Sequence, residues 1–161
     1  MYNQNRYKNH IDDIQRYRAI AMKLMYESAP IDALINSVVD TPCHGRDLVF
    51  KYIFPFAYVP DTTTSAKPFI TMEIAIPRVE NRTFKDMRLF TYIFCHQNIV
   101  QQKNGLLFDL LAEEVDKLLN GNDSFGLGAL ELRNLADFSP MQRWHGLVMQ
   151  YNSKSFNRPA K

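Results

Sequence analysis

Two dipeptides carry the residue types that most readily do chemistry, Cys43-His44 and Cys95-His96. Thiolate and imidazole are zinc ligands, so the pair raises a metal site. Neighbouring residues of a strand point to opposite faces. Cys95 and His96 fall in a predicted strand and would not share an ion, and neither pair has the spacing of two to four residues common in closed zinc sites. The expectation is two reduced thiols, ordinary polar histidines and no metal or other cofactor. A disulfide would require the two segments to meet in space.

The strongest enzyme-like pattern is Asp61 followed by Glu73-Ile74-Ala75. Metal-dependent nucleases set an acidic residue before a strand and a Glu-x-Lys on it, where carboxylates bind Mg²⁺ and the lysine polarises water. Here the lysine position is Ala75, and Glu73 also fits the solvent side of an alternating strand. Gly126-Leu127-Gly128 lies between a helix and a strand. A dinucleotide site needs its glycines after a strand, so a turn with close backbone packing is expected. Glu113, Glu114 and Asp116 read as the solvated face of a helix. His10, His44, His96 and His145 lie in separate segments, and His145 beside Trp144 could stack or pass a proton. Arg6, Tyr7, Lys8, Arg16, Tyr17 and Arg18 could touch phosphates or form a polar helix face, and Asp12-Asp13 interrupts them.

The elements that must position these groups follow from periodicity. Ile14, Tyr17, Ala21, Leu24 and Met25 recur at helical spacing and predict a first helix, broken by Pro30. A short second helix carries Asp32, Leu34, Ile35 and Val38. Residues 40–46 have turn composition, and the apolar run 48–54 predicts a strand. Residues 54–66 read as an extended arm rich in proline and aromatics: Phe54, Phe56, Tyr58 and Pro60. Such side chains either tuck beneath the chain's own core or reach another subunit. Ile70, Met72, Ile74 and Ile76 alternate with polar or small residues, predicting a strand that Pro77 ends. Residues 84–97 form a second strand, with Lys85, Met87, Leu89, Thr91, Ile93 and Cys95 on one face. The link is too short for a crossover helix, so the two should pair antiparallel. A helix over 106–119 buries Leu107, Leu110, Leu111, Val115 and Leu118, and Asn120-Gly121 ends it. Strands are predicted over 127–138 and 144–153, followed by an extended tail at about 154–161. The order α(α)βββαββ describes one α+β domain over residues 1–161, an antiparallel sheet with helices on one face.

Composition bounds what such a domain can do. The chain has 161 residues, 46% hydrophobic and 22% charged, enough for a real core. The net charge of +2 gives no strong field for polyanion binding. No segment approaches the roughly 18 apolar residues of a membrane span. The first residues, Met1-Tyr2-Asn3-Gln4-Asn5-Arg6, hold no apolar secretion core, and a reduced cytosolic setting is expected.

Several segments together resemble the tail-terminator, or tail-to-head joining, proteins of long-tailed bacteriophages. They are Ile53-Phe54-Pro55-Phe56-Ala57-Tyr58-Val59-Pro60-Asp61-Thr62, Phe90-Thr91-Tyr92-Ile93-Phe94-Cys95-His96 and Gly105-Leu106-Leu107-Phe108-Asp109-Leu110-Leu111-Ala112. The runs Asp116-Lys117-Leu118-Leu119-Asn120-Gly121, Phe125-Gly126-Leu127-Gly128 and Tyr151-Asn152-Ser153-Lys154-Ser155-Phe156-Asn157-Arg158-Pro159 add to it. The resemblance implies a small α+β virion protein, assembled in the host cytoplasm and not an enzyme. Such proteins form a ring, usually hexameric, on the head-proximal end of the tail tube. The implied partners are further copies of the chain, the tail tube protein and a neck or connector protein, with passing contact to DNA in the lumen and no membrane. A head-completion or connector adaptor is the neighbouring reading, and the Asp61/Glu73 nuclease the one of a different class. Phe54, Phe56, Tyr58, Pro60 and Phe156 are the expected interface anchors, since aromatics dominate interface energy.

Overall fold

The computed structural model describes residues 10–61 and 64–157. Helix α1 spans His10–Tyr26 and α2 spans Ala29–Asn36. Pro30 does not break α1, which has already ended at Tyr26. It sits in the first turn of α2, where its missing N–H and preset φ cost nothing. Ser28 caps that helix by accepting from the Ile31 amide at 3.4 Å.

The run 48–54 is mostly not a strand. Gly45–Leu48 forms a 3-10 turn, and the amides of Lys51 and Tyr52 both return to the Leu48 carbonyl. Phe50 takes a left-handed φ of 63°. Only Ile53–Phe54 remains as β1. A short apolar run does not by itself distinguish a strand from a tightly turned buried segment.

Strands β2 (Pro68–Val79), β3 (Phe84–His96), β6 (Leu127–Phe138) and β7 (Trp144–Phe156) build the main sheet in the order β1-β2-β3-β7-β6. All pairs are antiparallel except β1–β2, which is parallel. The sheet is therefore mixed, because β1 enters beside β2 after a turn rather than a hairpin. β2 runs past Pro77, contrary to the sequence expectation. A register shift between Ala75 and Arg78 absorbs the proline, as bulges on edge strands do. β7 is longer than expected and takes in residues 154–156 of the predicted tail; residues 158–161 lie outside the described residues. A small hairpin, β4 (Gln101–Gln102) with β5 (Gly105–Leu106), precedes α3 (Leu107–Leu119). Asn104-Gly105 falls in that hairpin.

The three helices cover one sheet face. The odd-numbered residues of β3 point into that core, and Met87, Leu89, Thr91, Ile93 and Cys95 are buried there as their alternation predicts. Tyr17, Met25, Leu111 and Val115 close it from the helices. Two tyrosine hydroxyls inside the core are paired, whereas the Thr91 hydroxyl finds no partner among the described residues. The hydroxyls of Tyr17 and Ser153 lie 2.6 Å apart. Tyr151 donates to the Asp116 carboxylate at 2.8 Å, so Asp116 is not on a solvated face. Burial, then that carboxylate, pushes the Tyr151 phenol far above its ordinary range. Among the described residues no helix is long and apolar enough to cross a membrane.

Candidate interaction surface

The even-numbered face of β3 carries no helix. At one end of it, residues 54–61 fold back over the sheet and bury a second, aromatic core of Phe54, Phe69, Phe94 and Trp144. The Tyr58 ring stacks on Phe54 at 4.0 Å with 4° between planes. Phe69 lies 5.6 Å from Phe94 and 5.5 Å from Trp144, and His96 meets Trp144 edge-on at 5.3 Å. Such tilted and offset contacts suit the ring quadrupoles. Pro60 is buried as well. In this chain, then, the arm covers its own domain, and Phe54, Tyr58 and Pro60 already have partners.

Three apolar side chains of the same region stay largely in solvent. Phe50 is 62% exposed, Phe56 47% and Val59 57%. Phe50 and Phe56 lie 6.2 Å apart, and each meets the Phe54 ring edge-on, at 6.3 and 5.8 Å. A bulky residue in the left-handed region is strained, and Phe50 holds this conformation with its ring in solvent. Phe50 escaped the sequence reading because a strand was expected there. The signal available was Phe50-Lys51-Tyr52 following a helical turn.

The remaining anchor stands apart. Phe156 is 46% exposed at the far end of β7 and stacks on Phe84 at 5.9 Å. The other end of β7, Trp144, belongs to the arm's core. At about 3.3 Å per residue, a strand of 13 residues separates Phe156 from the arm by roughly 40 Å.

The chemistry-bearing residues have local uses. Glu73 accepts from the Tyr92 hydroxyl at 2.9 Å, and burial together with this carboxylate pushes the Tyr92 phenol up to about 12. Asp61 is exposed, and its main-chain carbonyl accepts from Thr64. The Cys43 thiol donates to the Asp47 carbonyl at 3.0 Å, while Cys95 is fully buried, and both are free. Burial pushes the Cys95 thiol up to about 12. His44 donates to Asp32 at 2.8 Å. His145 lies 3.4 Å from the Ser139 hydroxyl, and Trp144 turns to His96 instead. Among the described residues no three of His, Cys, Asp and Glu gather as metal ligands. A Cβ on Gly126 would overlap the Lys154 carbonyl and the Tyr17 hydroxyl. That glycine therefore permits close packing, as expected of Gly126-Leu127-Gly128. Of the basic N-terminal group, residues 6–8 lie outside the described residues, and Tyr17 is a core residue.

What the sequence reading did not single out is an ion pair inside the main core. Lys85 is fully buried, with its ammonium on the Asp13 carboxylate of α1 and donating to His10 Nδ1 at 3.1 Å. Arg16 also donates to Asp13, at 3.2 Å. The signal was present in the phase of the strand. Lys85 shares its face with Met87 and Leu89, and a lysine there needs a buried carboxylate.

No curated protein matches the chain. The family model of YomW, a family named after a phage-like gene product of a Bacillus prophage, matches residues 7–153. That match covers most of the sequence, and the chain is a phage-related protein that belongs to the YomW family.

Proposed function

We propose that this chain is a structural, non-enzymatic virion protein that caps the head-proximal end of a long tail tube as a ring and joins it to the neck. The observation that carries this reading is the exposed apolar set of Phe50, in the turn before the arm, with Phe56 and Val59 on the arm, beside a buried Phe54 and a partly buried Tyr58. A rigid apolar patch with a packed base is how protein interfaces present their anchors. Family membership supports the phage setting. The tail role rests on the resemblance of the arm, of residues 90–96 and of the α3 region to tail terminators.

In this reading copies of the chain form a closed ring, hexameric as in the proteins it resembles. One rim of the ring meets the tail tube protein, the other a neck or connector protein, and DNA passes through the lumen. The protein assembles in the host cytoplasm and resides in the virion. Cyclic rings use heterologous contacts, in which one patch meets a different patch of the neighbour.

Electron microscopy of the protein mixed with cognate tail tubes tests this. A ring on one end of tubes of uniform length is the expected result. Binding to the portal in the absence of tubes would replace the terminator by a connector adaptor. Mg²⁺-dependent DNA cleavage that Glu73→Ala abolishes would overturn the structural reading altogether.

A further inference from the structure

Among the described residues the main sheet ends in open main chain on both sides. On one side β1 covers β2 only at Ile70 and Thr71. The Ile70 amide donates outward to the Tyr52 carbonyl at 2.8 Å. Main-chain direction alternates along a strand, so the amides and carbonyls of Met72 and Ile74 also face outward, beyond the end of β1. On the other side the loop after α3 closes the first half of β6. Leu130 exchanges two hydrogen bonds of 2.7 Å with Gly121 and Asn122, and the Leu132 amide donates to the Asn120 side chain at 3.2 Å. From residue 133 to 138 no described strand or loop pairs with the outer edge of β6. Residues 133–137 are exposed on both faces.

The two open edges match in three respects. Their lengths are similar, five residues at 72–76 and six at 133–138. Their directions match too. β3 opposes β2, β7 opposes β3 and β6 opposes β7, so β6 runs opposite to β2. A head-to-tail repeat of the whole sheet therefore brings β6 of one copy against β2 of the next in antiparallel sense, the pairing joined by well-aligned hydrogen bonds. Their side chains match as well. Leu135 shares a row with Met149, Thr91 and Met72, on the helix-covered face. It is 53% exposed there, while Ile74 and Ile76 on the same face of β2 are only half-covered. An exposed edge of this kind is a template for another strand.

We infer that copies of this chain join edge to edge, residues 133–138 of β6 adding antiparallel to residues 72–76 of the neighbour's β2, with Leu135 against Ile74 and Ile76. The closure of this joint into a ring rests on the reading above. The joint itself rests on the strand topology. Past Asp137 the β6–β7 turn approaches the neighbour's β1, beside its exposed Phe50 and Phe56.

Cysteine cross-linking tests the joint, and its background is low because Cys43 and Cys95 are buried. The double variants Leu135→Cys/Ile74→Cys and Leu135→Cys/Ile76→Cys are oxidised at high protein concentration, with and without cognate tail tubes. At least one pair should give a ladder of covalent multimers that reduction dissolves. The single variant Leu135→Cys should remain uncrosslinked. Leu135→Lys, an exposed change that leaves the monomer folded by circular dichroism, should weaken assembly about tenfold or more. A covalent dimer from Leu135→Cys alone would mean symmetric β6–β6 pairing and would overturn the joint. Absence of a ladder in both double variants under both conditions would also overturn it. Rings on tubes without cross-links would refute the joint and leave the capping role. A ladder from a protein that never binds tubes would support the joint and refute the role.

Discussion

Lys85 and Asp13 hold the start of α1 onto β3 from inside the apolar core. Two charges leaving water together are tolerable because each satisfies the other, with Arg16 adding to Asp13 and His10 to Lys85. Lys85→Ala leaves the buried Asp13 carboxylate with Arg16 alone and should destabilise the fold by about 3 kcal/mol, measured by urea unfolding. The double change Lys85→Met/Asp13→Leu removes both charges and should restore most of that loss. Cys95 gives a second expectation at this scale. With its thiol raised to about 12, almost no thiolate exists at neutral pH, and burial blocks access. In a Cys43→Ser variant, a thiol reagent at pH 8 should leave Cys95 unmodified until the protein unfolds. Asp32 works in the opposite direction. Burial would raise its carboxyl, but hydrogen bonds from His44, the Gly45 amide and Asn36 outweigh that and hold it below the ordinary 3.8. A carboxyl depressed in the folded state adds stability that is present above 3.8 and fades as pH falls through the lower folded value. Asp32→Asn should therefore flatten the acid limb of a stability-against-pH curve and lower the plateau above pH 5.

At the scale of the element, the arm divides its aromatics between two tasks. Phe54 is packed between Tyr58 and Phe69 under the arm, whereas Phe56 faces solvent. Phe54→Ala should cost about 3–5 kcal/mol of stability through the cavity it leaves. Phe56→Ala should leave unfolding nearly unchanged and weaken assembly or tube binding instead. Comparable loss of stability in both variants would mean that the arm serves folding alone. The sequence showed the arm, its aromatics and the long strands, because period-two alternation over residues 84–96 leaves little choice of face. It could not divide Phe54 from Phe56. Adjacent prolines suppress any regular period, so the facing of each ring is decided by the sheet it lands on. The same limit hid the turn at Phe50, where six apolar or aromatic residues between 48 and 54 mimic a strand. Pro30 and Pro77 misled for a related reason. A proline is read as a stop, yet it is equally at home in a first helical turn or an edge bulge.

The described residues form a sheet closed on one face by three helices, roofed at one end of the other face, and unpaired among themselves at both edges. Any ring this chain forms adds stability by mass action. A ring whose subunits meet through β6 and β2 has a melting temperature that depends on protein concentration, because assembly binds the native state and not the unfolded one. Each tenfold rise in concentration above the assembly threshold should therefore raise the midpoint by a similar increment, read by calorimetry across a dilution series. Leu135→Lys should abolish this dependence while keeping close to the midpoint of the dilute wild type, since Leu135 is more than half exposed within its own copy. The near-neutral charge adds a second arm to the same series. Apolar and main-chain joints are only weakly screened by salt, whereas charge-steered assembly weakens steeply. Raising ionic strength from low to physiological should accordingly leave the concentration dependence in place. If salt erased it, charged rims rather than the sheet edges would hold the copies together.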